Sequence, residues 1–330
     1  MTSGENKMNR RDFMKMASLT AAAAVLPAAA QCSCAACGFK TKLRKALIRK
    51  RLTPEVVAEL KAAGFDGVEL TDAKVSLAEA REARALAERE GIVIHSFMGA
   101  WFKFNEPELY AAEVERAKAA IRLTAAYGAP VMLIVPSGGW KGDVPLPPWK
   151  DIRPKFNPIT LEMTAAVEGD NAPYSGYIAR QNNATACAIR AMEELLPLAA
   201  AEGVILAIEN VGNRYWLSPE FSLALVRHFR SPWVKYYFDL GNQTNISPAD
   251  GWLRTLGSEI VKLHIKDEVM DPSRAYGTRQ VPIGKGILDF KSIRRTIDDI
   301  GYNGWVSIES DGWSNAEHSE IMDKFFAGVL

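Results

Sequence analysis

The chain has 330 residues, of which 48% are hydrophobic and 24% charged, and its formal net charge is +1. That length holds one large domain or two small ones, and the composition is that of a globular protein rather than a disordered or collagen-like one. With 40 basic and 39 acidic side chains, the basic excess that a nucleic-acid partner calls for is missing.

The N-terminus is a different material. Arg10 and Arg11 are followed by Phe13 and Lys15, then by an Ala-rich run that ends in Ala28, Ala29 and Ala30. This resembles a twin-arginine export signal: an arginine pair, any residue, phenylalanine, an apolar residue, lysine. The run over 17–30 is too short for a comfortable membrane span. Residues 1–31 are therefore read as a signal peptide and 32–42 as a linker. Without 1–31 the chain loses four basic and two acidic residues (Lys7, Arg10, Arg11, Lys15; Glu5, Asp12), and its net charge becomes −1. The resemblance implies the twin-arginine machinery as a partner and a periplasmic or exported protein. That route carries folded, cofactor-loaded proteins and argues against a phosphorylated sugar as substrate. Attachment to a membrane and assembly into a homo-oligomer stay open. Cys32, Cys34 and Cys37 follow the apolar run; Gln31 fits a lipid-attachment site poorly, and three thiols lack a fourth metal ligand.

From residue 43 short apolar runs alternate with longer amphipathic ones. A first strand is expected over 45–50 and a helix over 53–64, with Thr53 as N-cap and Gly64 as stop. A strand over 65–71 leads to a helix over 76–91, and a strand over 92–99 to a helix over 106–128. A fourth strand covers 129–139. The rhythm then pauses over 140–177, a Pro- and aromatic-rich insertion read as an ordered excursion. It resumes with a helix over 178–203, broken or kinked near Pro197, and a strand over 204–210. Helices over 218–229, 247–257, 288–301 and 314–329 then alternate with strands over 234–242, 259–267 and 304–310. Eight strands each followed by a helix imply a parallel sheet, and eight such units match a single closed (β/α)8 TIM barrel over 43–330.

In such a barrel the chemistry sits at the C-terminal strand ends. Those ends offer Glu69 (strand two), His95 (three), Glu209 (five), Asp239 (six), His264 (seven) and Glu309 (eight). Neighbouring residues are Val, Leu, Ile, Tyr and Phe, so an unpaired carboxylate there is costly. One divalent ion would organise Glu209, Asp239, His264 and Glu309. The set suits Mn²⁺, Co²⁺, Mg²⁺ or Zn²⁺.

The stretches "AIEN", "FDLGN", "HIKD" and "SIES", with "AAGFDGVEL" upstream, resemble the xylose isomerase-like barrels identified as sugar phosphate isomerases and epimerases. The resemblance implies Glu209, Asp239, His264 and Glu309 as metal ligands, with Glu209 and Glu309 also the catalytic acid/base pair. It implies a substrate carbonyl polarised by the metal, proton removal beside it to give an enediolate, and proton return on the other face or the adjacent carbon. Many members carry histidine where this chain has Asn242, which can hydrogen-bond a hydroxyl but cannot be protonated. Substrate contacts are expected from Glu69, His95, Asn242, Lys266 and Arg274. For Trp101, Phe102, Phe104, Trp140 and Trp149, packing is the expectation. His228 and His318 fall mid-helix, and no chemistry is expected of them.

The leading expectation is thus a metal-dependent isomerase or epimerase of an unphosphorylated sugar, working through an enediolate. Two alternatives stand beside it. One is a 3-keto-glycoside lyase or hydratase using the same metal and glutamate pair. The other is a non-catalytic periplasmic sugar-binding barrel.

Overall fold

The protein's structure, a computed structural model, describes residues 38–140 and 144–330. The signal-peptide reading of 1–31 and the Cys32, Cys34 and Cys37 cluster lie outside the described residues. In chain order the strands are β1 (Leu43–Arg49), β2 (Gly67–Leu70), β3 (Val93–Trp101), β4 (Val131–Val135), β5 (Ile152–Phe156), β6 (Met163–Val167), β7 (Ile205–Glu209), β8 (Val234–Asp239), β9 (Ile260–Ile265), β10 (Asp267–Met270), β11 (Thr278–Val281) and β12 (Gly304–Ile308). The helices are α1 (Pro54–Ala62), α2 (Leu77–Glu90), α3 (Tyr110–Ala126), α4 (Ser175–Glu202), α5 (Pro219–His228), α6 (Ala249–Leu256), α7 (Phe290–Asp299) and α8 (Asn315–Phe326).

Eight strands close into a parallel barrel in the order β1-β12-β9-β8-β7-β4-β3-β2, and a helix follows each of them. Barrel strands are covered on both faces, which is why β4 reads Val-Met-Leu-Ile-Val and is buried throughout. Helix starts are fixed by side chains that accept otherwise unpaired backbone N–H groups. Thr53 caps α1, and Ser76 and Ser314 form capping boxes on α2 and α8.

Three elements differ from the sequence expectation. The third strand runs on to Trp101, two residues past the expected end. Helix α4 continues unbroken through Pro197 and stops only at Gly203, in the left-handed conformation. Pro197 costs one N–H bond there, while buried Leu195 and Ala199 hold the helix against the barrel on either side. The seventh barrel strand ends at Ile265, two residues before the expected end, and the chain then turns into an antiparallel β10–β11 hairpin. The insertion folds as a second antiparallel pair, β5–β6, whose Met163, Ala166 and Val167 pack on Tyr177 and Trp140.

Candidate active site

The register brings the late strand ends to one level. Asp239 pairs with His264 across β8 and β9, and His264 pairs with Ser307 across β9 and β12. Glu209 is the last residue of β7. Glu309 follows β12 directly, and its N–H donates to Ile265 O at 3.0 Å. One ligand-type atom from each of Glu209, Asp239, His264 and Glu309 lies within 4.8 Å of all the others.

The His264 ring is fully buried and aimed by its neighbours. Its Nδ1 lies 2.9 Å from Glu209, 3.4 Å from Glu309 and 3.9 Å from Asp239. Its Nε2 lies 2.8 Å from Glu69 Oε2, which also accepts from Tyr237 OH at 2.6 Å. A carboxylate behind an imidazole fixes the ring and leaves the far nitrogen for a cation. Asp239 Oδ1 accepts from the N–H groups of Gly241 (2.7 Å) and Asn242 (2.9 Å). Its Oδ2 is buried without a hydrogen-bond partner, although Lys266 Nζ is 3.1 Å away. The separation suits an ion pair but the angle does not make a hydrogen bond. Lys266 Nζ does donate to Glu309 Oε2, at 3.0 Å.

This crowding splits the protonation of like groups. Burial pushes the Glu209 carboxyl up to about 7, only partly offset by His264. Burial also raises Asp239 against the pull of Lys266. Burial would raise Glu309 too, but Lys266 and His264 hold it well below the usual carboxylate range. Burial would lower His264 and Lys266, yet the surrounding acidic groups raise both. Four carboxylates thus face two side-chain cations. A divalent ion would take the place of the His264 ring proton, and the Asp239 oxygen without a hydrogen bond and the aimed His264 nitrogen fit one.

Above the cluster is a cavity of about 380 Å³, lined by Glu209, Asn242, Lys266, Glu268 and Glu309 with the exposed rings of Trp101 and Tyr276. Asn242 Nδ2 donates to Asn210 O at 2.8 Å, and Asn210 clasps the Asp239 backbone through both its N–H and C=O. Sequence reading missed Glu268 and Tyr276. Burial pushes the Glu268 carboxyl up to about 7. The signal for it was present, since Glu268 directly follows Asp267, but the hairpin that turns it inward leaves no mark in a local pattern.

Residues 57–323 match the family model described as xylose isomerase-like TIM barrel. The chain belongs to that family. Residues 7–27 match the model for the TAT (twin-arginine translocation) pathway signal sequence. Among curated proteins, L-ribulose-5-phosphate 3-epimerase UlaE of Salmonella paratyphi A is 29% identical over 148 residues. The match covers 43% of this chain and 49% of the relative, so it spans about half the length of the curated relatives. Among solved structures, a xylose isomerase domain protein from Planctomyces limnophilus superposes with a TM-score of 0.63 at 16% identity, covering 87% of this chain and 97% of its own. The 3-keto-D-glucoside 4-epimerase YcjR from E. coli gives 0.62 at 15%, covering 86% and 99%. At those identities the likeness is one of fold.

On this family scaffold, three of the expected substrate contacts are placed elsewhere. Glu69 is fully buried behind His264, held by Tyr237, and does not line the cavity. His95 is a bonded core histidine. Its Nδ1 pairs with Ser96 Oγ at 3.0 Å, its Nε2 with Ser307 Oγ at 2.9 Å, and its ring stacks on Trp305 with centroids 5.0 Å apart. The cause is strand length: β3 extends six residues beyond His95, so Trp101 occupies the mouth instead. Gly67 makes room for that stack, because a Cβ there would lie 2.3 Å from the Trp305 ring. Arg274 points to solvent, 3.8 Å from Asp271, and Tyr276 from the same turn enters the cavity in its place. Asn242 and Lys266 do line it. Of the aromatics, Phe102 and Phe104 stack on each other, Trp140 packs on Tyr177 and Tyr215, and Trp149 lies under Arg214.

Proposed function

We propose that the chain is a metal-dependent epimerase or isomerase of an unphosphorylated sugar, exported by the twin-arginine route. The carrying observation is the set of Glu209, Asp239, His264 and Glu309, the first three buried and Glu309 half-exposed, with one Asp239 oxygen lacking a hydrogen bond, at the floor of a sugar-sized cavity. The epimerase names of the curated relatives support the reaction class, and the signal match supports the location. No helix among the described residues is long and apolar enough to cross a membrane.

Glu209, Asp239, His264 and Glu309 would hold one divalent ion, which when bound polarises a carbonyl and its neighbouring hydroxyl. Glu309, ionised beside Lys266 and lining the cavity, would remove the proton next to the carbonyl and leave an enediolate. Glu209, with its carboxyl pushed up to about 7, is suited to return a proton. Lys266 sits where it steadies negative charge developing on a substrate oxygen. Asn242 can orient a hydroxyl. Trp101 and Tyr276 give the mouth aromatic walls against which a sugar ring can lie. The same proton removal on a 3-keto-glycoside is the second reading, favoured by a mouth wider than one monosaccharide fills.

The test is deuterium uptake from D₂O into a panel of free ketoses, read by NMR with Mn²⁺-loaded protein. Exchange is expected at a carbon next to the carbonyl, and Glu309→Gln should slow it by about 10²–10⁴-fold. Protein that binds no metal at these four residues, or that binds metal and exchanges no proton in any ketose or keto-glycoside, would sink the proposal.

A further inference from the structure

A second cavity, of about 570 Å³, opens beside the first. Met98, Gln280 and Glu309 line both, so the two are lobes of one mouth divided by Glu309. The second lobe is walled by Arg49 at the end of β1, by Asp311 and Trp313 after β12, and by Asn315 and His318 of α8.

Arg49 has no carboxylate within ion-pair distance among the described residues. It donates to Ile48 O at 2.9 Å and to Asn315 Oδ1 at 2.8 Å. Two of its five N–H groups are thus used, and three are left for a ligand. His318 is buried, and its Nε2 has no hydrogen-bond partner. Burial and the Arg49 charge hold its ring on the neutral side, so it can give one hydrogen bond and accept another. Trp313, its indole N–H fixed to Ile283 O at 3.2 Å, adds an aromatic wall. Donors, an acceptor and an indole suit the hydroxyls and apolar face of a sugar ring. A phosphate does not suit the lobe, because one guanidinium would face Asp311 in the wall and Glu309 at the divide.

We propose that this lobe is a glycosyl subsite. It takes a neutral sugar ring joined to the sugar whose carbonyl lies over Glu309, so the substrate is an unphosphorylated disaccharide or glycoside. The inference deepens the proposed function and rests on it for the placement of the reacting end.

The probe is isomaltulose, a glucosyl unit on the far end of fructose, followed by saturation-transfer NMR on Mg²⁺-loaded protein. Saturation is expected on the glucosyl ring protons, with isomaltulose binding about tenfold tighter than D-fructose. Arg49→Met and His318→Leu should each abolish most of that advantage. Trp313→Ala, which leaves both side chains in place, serves should His318→Leu fail to fold. Saturation confined to the fructosyl unit, equal affinity for the two sugars, or displacement of the glucosyl contact by millimolar inorganic phosphate would overturn the subsite. Repeating the experiment in EDTA separates the two readings: the fructosyl contact should weaken and the glucosyl contact persist. A fructosyl contact indifferent to EDTA would count against the metal site and not against the subsite.

Discussion

His95 and His264 lie inside the same barrel, both buried, yet they are prepared for opposite tasks. His95 on β3 is closed between two serine hydroxyls and stacked on Trp305. Burial, with Lys262 and His264 nearby, pushes its pKa well below the ordinary value. His264 on β9 stands among carboxylates and is pushed well above it. Both sit in strands, His264 between Leu263 and Ile265 and His95 between Ile94 and Ser96. The difference is what the facing strands supply. In the early half of the barrel, β1 to β4, His95 is paired on both ring nitrogens, and the buried polar group left incomplete is Glu69, whose Oε2 reaches across to the late half while its Oε1 has no hydrogen-bond partner. The late half gathers like charges and leaves one oxygen unpartnered. In a fold whose strands are otherwise packed tight, unfinished electrostatics mark the working end.

The sharpest way to break that contrast is to treat the two histidines alike. His264→Gln should cost the protein its bound metal and, with it, turnover, read by elemental analysis after dialysis. His95→Gln should keep metal stoichiometry at the wild-type level and lower stability by about 1–3 kcal/mol through lost buried hydrogen bonds, read by denaturant unfolding. Equal metal loss in both would erase the distinction.

A subtler test addresses Glu69, which belongs to the early half by sequence and to the late half by contact. Glu69→Gln keeps the shape but weakens the hold on His264 Nε2. Metal affinity should fall by about 10–100-fold, measured by competition with a chelator, while the fold stays intact. Tyr237→Phe, which removes the second partner of Glu69 Oε2 and a longer contact to Ser307 Oγ, should fall short of that loss. No change in affinity for Glu69→Gln would mean that His264 is held by packing alone.

Much of this was legible from the chain because a barrel strand buries both faces and must be an apolar run. "VMLIV", "ILAIE" and "GWVSI" announce themselves, and a charged residue at the end of such a run is conspicuous. The four clustered residues were found that way. What was not legible depends on partners far apart in sequence. The expectation that Glu69 and His95 touch substrate followed from their strand-end appearance. Their fates were set by Tyr237, 168 residues away, and Ser307, 212 residues away. Arg274 and Tyr276 share one short turn, and only the geometry of the β10–β11 hairpin decides which of them faces inward. His318 looked like a mid-helix residue without chemistry; it is the closure of the barrel that brings α8 beside β1 and sets His318 near Arg49 in the wall of the second lobe.

The opposite end of the barrel gives the smallest effect and a control for all the others. Asp298, at the end of α7, accepts from the N–H and the hydroxyl of Thr41, both at 2.8 Å. It ties the segment before β1 to the helix that precedes β12. Burial alone would raise its carboxyl, but those two bonds and the nearby Arg294 hold it below the ordinary value. A depressed carboxyl stabilises the folded state above its unfolded pKa and loses that contribution as pH falls through the folded one. Asp298→Asn should therefore lower stability modestly at pH 7, by about 1 kcal/mol. The gap to wild type should close as pH falls through the folded pKa, below the ordinary aspartate range. Metal content should be unchanged throughout, because this tie is far from the late-strand cluster. No gap at pH 7 would mean that Thr41 binds the amide as well as the carboxylate. A loss of metal in this variant would instead show that the site's geometry depends on how the barrel is closed, and that the early and late halves are not separable.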